Sequence, residues 1–335
     1  MPQRISMAAW LSLCVAILFI TVAKADNQTD FQPFDTRDQN LFNLIHGQAL
    51  PTNARLNRKS QGRWSTGLAI TNAINIESTA NESIYLDYEA YRFNFSYQYG
   101  LNDQWDLKLD VPLIYQSGGI FDSAIDEWHG FFGLPDGKRP FVTRDQYEVL
   151  YASGAQTAVK LDAASSSLGD IQIALARSLV ENSNTTVSLW GSVKLPTGNE
   201  NKLTGSGATD ISAWLALNQR LSKNWVINLN GGAVMPGAND YKGIALANYA
   251  LYGHAMLGWA ATENINLKVQ LQGHSSYYAQ SDLNVLGDVY ILSFGGSIKI
   301  NQCNQLNIAF TEDIKVDASP DASLLFSWHS YTSDC

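Results

Sequence analysis

Residues Tyr91, Phe93, Phe95, Tyr97 and Tyr99 alternate with Arg92, Asn94, Ser96 and Gln98, so one face of this segment is aromatic and the other polar. A period of two belongs to an extended strand and to no helix. The next segment obeys the same rule, with Trp105, Leu107, Leu109, Val111, Leu113 and Tyr115 against Asp106, Lys108, Asp110 and Gln116. Ile265, Leu267, Val269 and Leu271 alternate likewise with Asn266, Lys268, Gln270 and Gln272. In a soluble sandwich the apolar face meets a core, whereas in a membrane barrel it meets lipid and the polar face lines a lumen. Long strands, aromatics at strand ends and the lack of a second class of strand or helix to complete a soluble core favour the barrel.

Short polar turns recur near Asn102-Asp103, Glu181 to Asn184, Ser222 to Asn224, Thr262 to Asn264 and Gln302 to Asn304. From the second turn onward their spacing is about forty residues, room for two strands and one longer loop. Strands starting near Arg63, Ile84, Trp105, Leu168, Thr185, Ala208, Trp225, Ala247, Ile265, Asp288, Gln305 and Ala322 make an all-β, antiparallel up-and-down transmembrane barrel of about twelve strands. Loss of one weak hairpin would make about ten. An even count brings both termini to the tight-turn, periplasmic side, where Trp105, Trp225 and Trp259 would sit in an aromatic girdle.

Three segments stand outside this rhythm. Met7 to Val22 is a mostly apolar run ending at Ala23-Lys24-Ala25, the pattern of a cleaved signal peptide spanning residues 1–25. Residues 26–60 carry Phe31, Phe34, Leu41, Phe42 and Leu44 without clean alternation and read as a plug or a periplasmic lead-in to the barrel at 61–335. A long outer loop covers 117–167; connections of such length are usually functional or mobile. Its gate candidates are Asp122, Glu127, Trp128, His129, Phe131 and Phe132, with the aromatics expected to fold inward over the pore or against the rim.

If the apolar faces meet lipid, parity sends Arg92, Asp106, Lys108, Asp110, Lys194, Asp210, Lys268, His274 and Lys299 into the lumen. Charges there either form a filter that water can reach or pair across a narrow, filled barrel. His274 and Ser276 suggest a lipid hydrolase only weakly, because both share the inward face and no orienting carboxylate is near in sequence. His129 beside Glu127 and Asp126 lacks a second nearby His or a Cys-x-x-Cys spacing, so no metal is expected. Nor does the chain carry a P-loop, a dinucleotide fingerprint or a nucleophile elbow, and no cofactor follows. The net charge of −9, without a basic run, argues against nucleic acid. Past the apolar run the chain retains Cys303 and Cys335, both placed at the periplasmic end, where an oxidising compartment permits a disulfide.

Phe34-Asp35-Thr36-Arg37-Asp38-Gln39-Asn40, Gly118-Gly119-Ile120-Phe121-Asp122, Glu127 to Pro135 and Leu168-Gly169-Asp170 resemble phrases of an uncharacterised Gram-negative outer-membrane β-barrel family, a domain of unknown function of the DUF3187 type. The resemblance covers nearly all of the chain after residue 25. Lys194-Leu195-Pro196-Thr197-Gly198 is more distantly similar to outer-membrane channels of aromatic-compound degradation. Such a family implies residence in the outer membrane, contact with its lipids and insertion by the barrel-assembly machinery, but supplies no catalytic residues. A passive channel for small solutes is the first expectation; a closed barrel that binds or supports through its long loop is the second, and the hydrolase the third. The last residues, Thr332-Ser333-Asp334-Cys335, depart from the aromatic terminus common among barrels.

Overall fold

A computed structural model describes residues 31–132, 139–315, 318–320 and 322–332. The signal-peptide expectation and Cys335 lie outside them. β1 (Gly62–Ser78), β2 (Glu82–Asn102), β3 (Trp105–Ser117), β7 (Gln172–Glu181), β8 (Thr185–Lys194), β9 (Asp210–Arg220), β10 (Trp225–Met235), β13 (Ala250–Ala260), β14 (Ile265–His274), β15 (Val289–Lys299), β16 (Asn304–Asp313) and β17 (Ala322–Tyr331) pair in this order. β1 also pairs antiparallel with β17, from Arg63 opposite Tyr331 to Asn72 opposite Ala322, and the 12 strands close. Closure removes the unpaired strand edges that an open sheet would expose.

The side-chain pattern is inside out relative to a soluble protein. Asp106, Lys194, Ser212, Lys268, Gln270 and Ser297 are buried, while Leu113, Ile211, Leu215, Val269 and Leu267 on the opposite parity are exposed. Trp225 and Trp259 stack at 5.9 Å beside the tight turns, so the aromatic ends of the alternating pattern fall where the strands stop.

Two boundaries differ from the alternation. The strand expected from Leu168 is broken into β6 (Ser165–Leu168) and β7, with Gly169 to Ile171 between them. β3 pairs with β7 through Asp110 and with β6 from Leu113, across Pro112, which has no N–H to give; Gly169 N donates to Pro112 O at 2.8 Å. The long loop contains α2 (Asp122–Phe132) and the hairpin β4 (Glu148–Ser153) to β5 (Gln156–Leu161), and the loop after β10 holds the short hairpin β11 (Asp240–Tyr241) to β12 (Ile244–Ala245). β4 pairs with residues 82–87 of β2, which rise with the end of β1 above the rim reached by β3 and β17.

Residues 31–60 precede β1, and α1 (Leu41–Leu44) is their one helical turn among described residues; Asn40 caps it by accepting from Phe42 N at 3.0 Å. Leu41, Phe42 and Ile45 are buried in one apolar cluster with Ile84, Leu86 and Tyr88 of β2, Val149 and Tyr151 of β4, and Val285 and Leu286 of the loop before β15. The long-loop end is therefore covered by apolar packing over α1.

Candidate functional site

The interior is occupied by the segment before β1, which enters at the tight-turn end: Phe31 packs with Val226 and Met256 near the start of β10 and the end of β13. It then climbs along β14. Lys268 Nζ donates to Gln32 O at 2.9 Å, Phe34 N donates to Gln270 Oε1 at 3.0 Å, Thr36 bonds Gln272, and His274 Nε2 lies 3.3 Å from Asp38 Oδ2. Every rung spans 236 residues of sequence. The steps of two on both sides mean that this arm is extended and runs parallel to β14, bonded by the wall's side chains rather than its backbone.

After α1 the segment turns down. Lys194 Nζ donates to Ile45 O at 2.8 Å, Gly47 N to Asp210 Oδ2 at 2.8 Å, Thr52 N to Asn230 Oδ1 at 2.8 Å and Asn57 N to Asp106 Oδ2 at 2.9 Å. Glycine is required at 47, where an added Cβ would come within 2.8 Å of Asp210 Cβ. Trp190 and Trp214, stacked at 5.6 Å, flank this arm, and Trp214 Nε1 donates to Thr52 Oγ1 at 2.8 Å.

The inward charges are mostly engaged. Lys194 stands 2.7 Å from Asp170 and 3.1 Å from Asp210, and Lys108 lies 3.1 Å from Asp110. Lys268 sits 4.3 Å from the Phe34 ring centroid in addition to its bond to Gln32, and Asp106 also accepts from Gln98 at 2.6 Å. Arg92 is buried and borders two cavities of about 20 Å³ each, one beside Asp35 and the other beside Arg37 and Asp110. Volumes of that size hold a water or two. Lys299 differs: it shares the inward parity of Ser293 and Ser297 but lies exposed at the end of β15, because parity gives a face and not a depth.

The gate candidates divide. Asp122 is buried and anchors the loop: it is 3.2 Å from Arg139 and accepts from Asn72 Nδ2 at 2.8 Å and Asp145 N at 2.7 Å. Glu127 is exposed, and Phe131, expected to fold inward, is 82% exposed on α2. The side chains of Trp128, His129 and Phe132 lie outside what is described. His274 acquires an acid invisible to local sequence, Asp38, yet Ser276 Oγ donates to Tyr278 O and Leu286 O instead of to His274. No nucleophile–base contact is formed there. Among the described residues no group of three or more His, Cys, Asp and Glu could hold a metal. No described helix is long and apolar enough to cross a membrane, which says nothing about the strands.

The family model for a protein of unknown function, DUF3187, matches residues 10–330. The chain belongs to the DUF3187 family. No curated protein matches it. Among solved structures, an outer membrane channel from Pseudomonas putida F1 is similar over 85% of this chain and 100% of its own, at 12% identity and a TM-score of 0.57. At that identity the likeness of this DUF3187 chain concerns the fold. The Pseudomonas putida toluene transporter TodX, at 10% identity over 90% of this chain and 99% of its own, has a TM-score of 0.39.

Proposed function

We propose that this DUF3187 protein is an outer-membrane channel for small solutes in a Gram-negative envelope, closed in this conformation by its own N-terminal segment. One observation carries the reading: the lumen is filled by a separate stretch of chain held mainly through polar bonds to the wall. Twelve strands enclose more space than their inward side chains need to fill. A barrel serving only as a support could fill that space with apolar side chains, whereas amide, carbonyl and ion contacts can be replaced by water when the segment leaves. In this reading the tight turns face the periplasm, the long loop faces outward, residues 1–25 are removed on export, and Cys303 bonds Cys335 in the oxidising periplasm. Outer-membrane lipids would contact the apolar outer face, and the barrel-assembly machinery would insert it.

A second reading, a permanently closed barrel with a binding role through its outer loop, is favoured by the apolar cluster over α1. Conductance separates the two. The mature protein and a variant lacking residues 31–56 would be inserted in planar bilayers. Brief openings of the first and stable, larger steps of the second are the expected result. Silence of both, with correctly folded barrels, would reject the channel and leave the closed-barrel role.

A further inference from the structure

The descending arm leaves the lumen past the tight-turn ends of β7 to β9, where a cavity of about 50 Å³ is lined by Phe31, Asn53, Arg55, Asn184, Asn218 and Arg220, among others. It is larger than the cavities beside Asp35, beside Arg37 and Asp110, beside Tyr88 and beside Lys108, of about 10 to 20 Å³, and has room for several waters or one small ion. Arg55 belongs to the segment and Arg220 to β9, on the inward parity of Asp210, Ser212, Trp214 and Asn218. Among the described residues no carboxylate lines the cavity.

Several buried cations of the loops and lumen have carboxylate partners: Lys108 has Asp110, Lys194 has Asp170 and Asp210, and Arg139 has Asp122, whereas Arg55 and Arg220 are half-buried. Among the described residues neither Arg55 nor Arg220 has an ion-pair partner, and neither guanidinium donates to an acceptor. The oxygens of the neighbouring Asn53, Asn218 and Asn182 accept from other groups. Asn53 Oδ1 accepts from Arg55 N at 2.9 Å and Asn218 Nδ2 at 2.6 Å; Asn218 Oδ1 accepts from Ala54 N at 3.3 Å and from Asn228. Asn182 Oδ1 is taken by the backbone N–H groups of Asn184 and Thr185, at 3.1 and 2.8 Å. What remains is a half-enclosed, donor-rich space with two like charges facing each other across the seam between segment and wall.

We propose that this cavity binds a small oxyanion of the phosphate class, bridging Arg55 of the N-terminal segment to Arg220 of the wall. Two planar guanidinium forks match a tetrahedral oxyanion better than point charges would. The wall of β9 stands between the cavity and the apolar outer face, so the anion is a free solute and not a lipid headgroup. Binding joins the segment to the wall and so favours the closed state; that consequence rests on the channel reading, whereas binding itself does not.

The test is calorimetric titration of inorganic phosphate into the purified mature protein in neutral detergent. Saturable binding at one site, weakened at least about tenfold in both Arg55→Gln and Arg220→Gln and unchanged in Lys223→Gln, is the expected result. Arg55→Gln lies on the segment and leaves the barrel strands untouched, so it remains informative if Arg220→Gln misfolds. Three results would overturn the proposal: no saturable binding to the wild type, binding undiminished in the variants, or binding that emerges only after Asp26 and Asp30 are both changed to Asn. The last would assign the cavity to the chain's own acids. Displacement of phosphate by phosphatidylglycerol micelles would assign it to a headgroup and would also count against a free solute. In bilayers, phosphate on the periplasmic side should lengthen closed times of the wild type and not of Arg55→Gln. A protein that binds phosphate but never conducts would end the channel reading alone.

Discussion

Lys194→Met isolates one of the contacts that hold the N-terminal segment. Methionine keeps most of the stem and removes the ammonium, which bonds Asp170, Asp210 and Ile45 O. Asp170 and Asp210 both belong to the wall, so their loss of a counter-charge weighs on the docked and undocked states alike. Only the bond to Ile45 O, 2.8 Å long and buried, is specific to the docked segment. A hydrogen bond to a charged group contributes about 1.5–3 kcal/mol, which is about a 10- to 150-fold rise in the undocked fraction. Asp210 still holds Gly47 N in the variant, so the lower half of that range is expected. Hydrogen exchange read by mass spectrometry over residues 45–54 should speed up by about tenfold or more, and bilayer openings should become more frequent by a similar factor. Lys268→Met, which acts on Gln32 and Phe34 at the other arm, should speed exchange of residues 31–38 first. A Lys194→Met protein whose exchange and openings stay within about threefold of the wild type would refute the idea that this bond holds the segment in place.

Three further outcomes follow from other contacts. Gly258→Val should push out the entry of the segment, since a Cβ there would stand 2.5 Å from the Phe31 ring; protease cleavage near residue 31 from the periplasmic side should become rapid, and protection as in the wild type would contradict the packing. Asp87, above the barrel rim, has its carboxyl pushed up to about 7 by burial first and by Asp122 next. A raised acid stabilises the loops most below its unfolded value near 4 and loses that contribution as pH rises through about 7, so loop proteolysis should quicken between pH 5 and pH 8. Asp87→Asn should flatten that rise, and an unchanged rise would exclude Asp87 as its source. If Cys303 bonds Cys335, Cys303→Ser should abolish the mobility difference between reduced and unreduced full-length protein; a difference that persists would rule out the bond.

The barrel was legible because the period of two survives along most of the wall and each tight turn is local. The same parity found Asp106, Lys108, Lys194, Asp210, Lys268 and His274 on the inner face, since facing requires only counting. It could not tell that Lys299 lies at an open rim, because depth depends on where a strand ends against its neighbours. Nor could counting show α2 leaving Phe131 in the open, which depends on how the loop docks through Asp122 and Arg139. The N-terminal segment was the hardest part to read. Asp38, Gly47 and Asn57 look like ordinary loop residues, and their partners His274, Asp210 and Asp106 are far away in sequence. No window of sequence contains both halves of such a bond, which is why the orienting acid of His274 was missed.

The rungs that span 236 residues also order events in time. The ascending arm precedes every wall strand in the chain, yet β14, its support, is the ninth of the twelve: Gln270, Gln272 and His274 follow most of the wall in sequence. Loops of this length close slowly, and contacts that depend on them form late. The newborn barrel must therefore pass through a stage in which its first residues have nowhere to dock, and the last act of assembly is the chain finding shelter inside the enclosure that its own later residues built.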